Sequence, residues 1–182
     1  MNYIKITKTD IANGPGVRVV LWVAGCRCKC PGCHNASTWN FDAGQEFTDD
    51  TIEEIVEAVN KPWISGLTLS GGHPLEPEHL SSICRLIYIF KKRCPDKTLW
   101  LYTGYELTYE NFLLVRETSE ENTCIHNIMC SILNSCDVVV DGPYIESQRN
   151  LMLLFRGSEN QRLIDVKETI KNKHIVEYNE AA

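Results

Sequence analysis

The sequence has no apolar run approaching the roughly 20 residues that span a bilayer, so hydropathy gives no membrane-crossing helix. It also lacks a basic excess: 18 Lys and Arg stand against 24 Asp and Glu, a formal net charge of −6. Phosphate backbones reward clustered Lys and Arg, so nucleic acid is a poor partner and a protein or small molecule a better one. No internal repeat or low-complexity tract is present, which sets aside solenoids and disordered linkers. There is no Ser-His-Asp or paired-carboxylate pattern for general acid–base chemistry. The first residues, Met1-Asn2-Tyr3-Ile4-Lys5, form no charged-then-apolar leader, and a cytoplasmic location is expected.

What the chain does have is cysteine: nine in 182 residues, on an otherwise ordinary globular composition, 43% hydrophobic and 23% charged. One domain over residues 1–182 is expected, with a core of about 2–165, a surface insertion at about 117–130 and a charged tail at 166–182. Thiols stay reduced in the cytosol, where a Cys-rich protein is a metal or catalytic protein before it is a disulfide-bonded one. Four of the nine fall in Gly25-Cys26-Arg27-Cys28-Lys29-Cys30-Pro31-Gly32-Cys33-His34-Asn35. Cys26, Cys30 and Cys33 read C-x3-C-x2-C, which suits a shared metal centre. An iron–sulfur cubane normally takes four thiolates, so three leave one iron free to hold something else. The alternative is a closed zinc site with Cys28 or His34 as fourth ligand. Zinc ribbons, however, usually have two separated C-x2-C pairs, and this segment has no clear second half. Cys124, Cys130 and Cys136 recur at no ligand spacing and are expected to be structural, with a second metal site the lesser reading.

Residues 7–16 are turn-rich around Gly14-Pro15-Gly16, and Val17–Val23 reads as a buried strand leading into the cysteine loop. Thr48 or Asp49 caps a helix whose Ile52, Ile55, Val56 and Val59 form one apolar stripe. Gly66–Ser70 is a strand ending in Gly71-Gly72-His73, a pair that lets backbone approach a ligand. A helix bearing Ile83, Leu86, Ile87 and Phe90 follows, then a strand over Thr98–Tyr102 closing at Thr103-Gly104. A third helix is expected over Tyr109–Arg116, a polar surface excursion over 117–127, and a strand over Asp137–Val140 ending in Asp141-Gly142. The run Leu151–Phe155 ends in Arg156-Gly157-Ser158. Strands alternating with helices imply α/β architecture with a parallel sheet, and five Gly-bearing strand ends on one rim imply one concave site.

These stretches resemble the radical S-adenosylmethionine superfamily, and more narrowly the small activating proteins of anaerobic (class III) ribonucleoside-triphosphate reductase. The superfamily resemblance rests on the cysteine run. The narrower one rests on Asn13-Gly14-Pro15-Gly16-Val17-Arg18 and on Arg156-Gly157-Ser158 with Asn160-Gln161-Arg162, and the matches run in family order over about 2–165. The resemblance implies a partial, open (β/α) barrel holding a 4Fe-4S cluster on Cys26, Cys30 and Cys33. The free iron would chelate the amino and carboxylate groups of S-adenosyl-L-methionine, and an electron would cleave the sulfonium bond to give a 5′-deoxyadenosyl radical. That radical would take hydrogen from a glycine on the large reductase subunit, with a flavodoxin- or ferredoxin-type protein as electron donor. Gly32, Cys33 and His34 would lie along the nucleotide cofactor, and Gly71 and Gly72 would approach its methionine end. Asn13, Arg18, Tyr102, Asp141 and Arg156 would line the cofactor or the partner's glycine loop.

Two residues depart from the family pattern. The position after the Gly pair, usually acidic and set against the cofactor's ammonium group, is His73. A neutral imidazole still accepts a hydrogen bond there but without charge assistance, so cofactor binding is expected to weaken as pH falls through about 6.5. Cys28 is an extra thiol inside the ligand run. The competing readings are an activator of another glycyl radical enzyme, another small radical enzyme of the superfamily, or a non-catalytic iron–sulfur or zinc module.

Overall fold

The structure, a computed structural model, describes residues 1–114 and 120–179, with the side chains of residues 120–123 outside that description. Its frame is one sheet of seven strands: β1 (Asn2–Asp10), β2 (Arg18–Val23), β3 (Gln45–Glu46), β4 (Gly66–Gly71), β5 (Thr98–Tyr102), β6 (Val138–Asp141) and β7 (Arg162–Asp165). Their order is β3-β1-β2-β4-β5-β6-β7. The four central strands, β2, β4, β5 and β6, run parallel, with Val20 beside Thr68 and Thr68 beside Trp100. Antiparallel strands flank them on both sides. The central strands are nearly continuous apolar runs because both of their faces are covered.

On one face lie α1 (Asp49–Val59), α2 (Leu80–Arg93), α3 (Glu120–Ser135) and the short α4 (Val166–Asn172). Thr48 caps α1 by accepting from the Thr51 N–H, and Thr51 returns the bond. The stripe read from the sequence is the buried face: Ile52, Ile55, Val56 and Val59 of α1 and Ile83, Leu86, Ile87 and Phe90 of α2 join the main core with Leu67, Leu69, Leu99 and Leu101. Each such side chain stabilises the fold by about 1.5–3 kcal/mol. The opposite sheet face carries a smaller cluster, Trp100, Val138, Val140 and Leu163, with Tyr102 and Phe155 against it.

Several expectations are corrected. Thr7–Asp10 belong to β1, not to the turn, because β1 pairs with β2 along Tyr3 to Asp10. Residues 109–112 form only a 3-10 turn, and residues 115 and 116 of the expected third helix lie outside the described residues. Residues 120–127 of the polar stretch are the first part of α3, with Cys124 exposed and 125–127 half-buried, and α3 buries Cys130, Ile132 and Leu133 further on; residues 117–119 lie outside the described residues. Leu151–Phe155 is a loop, with Leu151 and Met152 among the most exposed apolar side chains. The charged tail carries α4, capped by Asp165. Among the described residues no helix is long and apolar enough to cross a membrane.

Candidate functional site

The cysteine loop leaves the C-terminal end of β2 and is pinned at its root: the Gly25 N–H donates to Thr38 O and the Cys26 N–H to Trp39 O. Beside it run the ends of β4 and β5. Between them lies a cavity of about 390 Å³ lined by Cys26, Cys28, Cys30, Cys33 and His34, by Gly71, Gly72 and His73, by Tyr102, Thr103 and Gly104, and by Asn13 and Arg156. All four loop cysteines are free thiols. Burial raises the pKa of Cys26, and burial with the neighbouring Cys26 thiol pushes Cys28 up to about 12.

The glycine pair has a reason beyond ligand approach. A Cβ on Gly72 would come within 2.4 Å of the Gly25 carbonyl oxygen, and one on Gly71 within 2.6 Å of the Val23 nitrogen. Bare backbone at both positions is what lets the start of the cysteine loop lie against the end of β4. The His73 N–H then donates to Gly25 O at 2.8 Å.

His73 is buried, and neither ring nitrogen is idle. Nδ1 faces Glu76 Oε1 at 3.4 Å and Nε2 lies 2.7 Å from Thr103 Oγ1. A carboxylate only accepts, so Nδ1 carries the proton and Nε2 accepts from the Thr103 hydroxyl, whose oxygen in turn accepts the Tyr105 N–H. Burial lowers the His73 pKa, with Glu76 opposing. Glu76, also buried, accepts the Arg27 N–H at 2.8 Å and Arg27 Nη1 at 2.6 Å. Burial acts to raise its pKa, but the two Arg27 hydrogen bonds outweigh it and the net shift is downward. Arg27 thus ties the cysteine loop to the loop after β4, and its guanidinium also lies over the Phe41 ring. The sequence reading missed this chain from Arg27 through Glu76 and His73 to Thr103. The i, i+3 spacing of His73 and Glu76 was its one available signal.

Other expected residues fall on either side of the cavity wall. Asn13 lines it and is held by Asp10 Oδ1, which accepts both its N–H and its side-chain amide. Tyr102 lines it and donates to Phe155 O at 2.6 Å. Arg156 lines it and donates from Nη1 to Gln161 O, while its buried Nε has no partner among the described residues.

Three expected residues do not line the cavity. Gly32 packs under the Glu146 carboxylate at φ +76. The Asp141 carboxylate is saturated by the Leu107 N–H and by Arg162. Arg18 sits at the far end of β2, fully buried, donating to Thr68 Oγ1, Thr98 Oγ1 and the Leu67 and Thr98 carbonyls. Burial lowers its pKa to about 10. Gln161, by contrast, lines the cavity, and also holds the loop: its Oε1 accepts the Gly157 and Ser158 N–H groups while its Nε2 donates to Gly142 O. Outside the site, Cys130 of α3 donates to Asn111 O, and Cys136, just past the end of α3, donates to Ile132 O, each as a packed thiol.

The donor set, thiols alone, suits an iron–sulfur cluster. A cubane spreads its thiolates over separate irons, and Cys26, Cys30 and Cys33 stand around one cavity. The unpaired Arg156 Nε adds a donor that an acceptor of a bound ligand would satisfy, since leaving it buried and unmade costs about 1–3 kcal/mol.

A family model described as a 4Fe-4S single cluster domain matches residues 12–164. The chain is 42% identical over 163 residues to the anaerobic ribonucleoside-triphosphate reductase-activating protein of Enterobacteria phage T4, covering 90% of this chain and 93% of the phage protein. It is 36% identical over 163 residues to the protein of that name from Escherichia coli (strain K12), covering 88% and 96%. The Vibrio cholerae serotype O1 protein of that name is 37% identical over the same length, covering 88% and 96%. With the cysteine loop, the glycine pair and the cavity they share, the chain belongs to the family of anaerobic ribonucleoside-triphosphate reductase-activating proteins and carries their 4Fe-4S single cluster domain.

Proposed function

We propose that this chain installs a glycyl radical on the large subunit of an anaerobic ribonucleoside-triphosphate reductase, with Cys26, Cys30 and Cys33 as its cluster ligands. The observation that carries this reading is the placement of those three thiols around one cavity with the ends of β4 and β5. When bound there, the reduced 4Fe-4S cluster supplies the electron that cleaves S-adenosyl-L-methionine. The protein's own part is position and exclusion of water. Gly71, Gly72 and His73 wall the methionine end of the nucleotide. His34, edge-on to Tyr144, and Tyr102 wall the rest, and Arg156 offers its free Nε–H to an acceptor. The 149–156 loop and Asn13, which also line the cavity, are where the partner's glycine segment enters.

The central parallel strands with their helices are read as a partial barrel of the radical S-adenosylmethionine type, working in the cytoplasm as one domain with a flavodoxin- or ferredoxin-type donor. Anaerobic reconstitution tests the reading. The expected result is close to four irons per chain and 5′-deoxyadenosine on addition of reductant and S-adenosyl-L-methionine. A chain that retains only zinc and yields no deoxyadenosine would overturn it.

A further inference from the structure

We propose that Cys28 is an exchangeable fourth thiolate, holding the iron that S-adenosyl-L-methionine takes and yielding it when the nucleotide binds. The inference rests on the function proposed above and concerns the same cavity.

Three features of the loop carry it. First, Cys28 lines the cavity together with Cys26, Cys30 and Cys33, so four thiols face one space, the number a cubane normally takes. Second, its side chain is turned in rather than out. Its Sγ lies over Gly104 at the end of β5. A Cβ on Gly104 would stand 2.8 Å from that sulfur, so the bare glycine is what makes room for it. Third, Lys29, between Cys28 and Cys30, takes φ +44. Left-handed backbone at a side-chain-bearing residue costs about 1–2 kcal/mol and persists where the surroundings over-determine it.

The exchange balances without an electron. The Fe–S bond to Cys28 breaks with its electron pair on sulfur, and the amino nitrogen and a carboxylate oxygen of the nucleotide take the iron. The proton that the ammonium group loses on ligation passes to the departing thiolate. Cys28 then stands as a neutral thiol, off the iron. Because binding waits on release, the apparent dissociation constant is the intrinsic one divided by the fraction of released sites. A cluster capped nine-tenths of the time binds the nucleotide about tenfold more weakly than an uncapped one.

The test uses the full chain, anaerobically reconstituted, as wild type, Cys28→Ala and Cys28→Ser. Iron content, the Mössbauer spectrum without nucleotide, iron lost to a chelator, and S-adenosyl-L-methionine binding by equilibrium dialysis are measured. Expected are full iron loading in both variants and a changed spectrum for one iron. Faster loss of that iron to the chelator and about tenfold tighter nucleotide binding should accompany them. Unchanged spectra and affinity at full loading would overturn the proposal while leaving the proposed function standing. Variants that cannot load iron at all would overturn it too, by making Cys28 an obligatory ligand rather than an exchangeable one. A wild type that holds no cluster would instead remove the function on which it rests.

Discussion

Replacing Glu76 with alanine should uncouple the cysteine loop from the loop after β4, and the size of the effect follows from the bonds removed. The carboxylate is almost wholly buried, with 2% of its surface exposed, and accepts from the Arg27 N–H, Arg27 Nη1 and His73 Nδ1. Hydrogen bonds to charged groups contribute about 1.5–3 kcal/mol each. The guanidinium is 57% exposed and keeps Glu78, so its share is discounted to less than about 1 kcal/mol. The His73 contact is long and adds about 1 kcal/mol. The sum is about 2.5–5 kcal/mol, or roughly 5–20 °C in Tm for a chain of this size. Glu76→Gln keeps an acceptor for the Arg27 N–H and should lose about half of that. Urea unfolding of the reduced, metal-free chain near neutral pH measures both. A change below about 0.5 kcal/mol for Glu76→Ala would place it with ordinary surface substitutions and refute the reasoning.

Further outcomes are expected elsewhere. Arg18→Lys should destabilise the metal-free chain by about 1–3 kcal/mol, because an ammonium cannot serve four acceptors set around a planar fork; an unchanged denaturation midpoint would contradict this. Gly72→Ala should displace Gly25 and lower iron content on reconstitution, with an overpacking penalty of about 1–3 kcal/mol; full loading at wild-type stability would show that the contact yields easily. His73 has a folded pKa below its unfolded value through burial, so the folded chain binds fewer protons. Its contribution is present above about 6.5 and is lost as pH falls through the folded value. His79, also lowered by burial, adds in the same direction, and Glu76 follows below about 4.5. Stability should therefore decline on acidification, and His73→Gln should flatten the upper part of that limb. Parallel pH curves for the two proteins would contradict the assignment.

The apolar stripes of α1 and α2 and the central strands were legible because periodicity reports burial directly, and Ile52, Ile55, Ile83 and Phe90 all point where their spacing said. β1 was not, since its polar Lys5, Lys8 and Asp10 hide an edge-facing strand whose pairing is set by β2. The segment from residue 120 was misread because Asn and Thr favour loops locally, while Ile132 and Leu133 drive the helix through tertiary packing. At the site, residue type and spacing announced Cys26, Cys30 and Cys33. They did not separate residues that face the cavity from those that build its wall. Asp141 and Arg162 stand in stretches that carry the family resemblance, yet they bond to each other. His73 looked like an isolated replacement until Glu76, three residues on, was found behind its imidazole. That displaces the expected acid sensitivity to below 6.5, because desolvation outweighs the carboxylate.

The most direct measurement mixes the anaerobically reconstituted chain with its reductase subunit, a reductant and S-adenosyl-L-methionine, and records the electron paramagnetic resonance spectrum. A glycyl doublet that forms with the wild type and is absent with Cys30→Ala is the result expected here. A doublet of equal intensity from the Cys30→Ala chain, or none from a wild type carrying a full cluster, would contradict it.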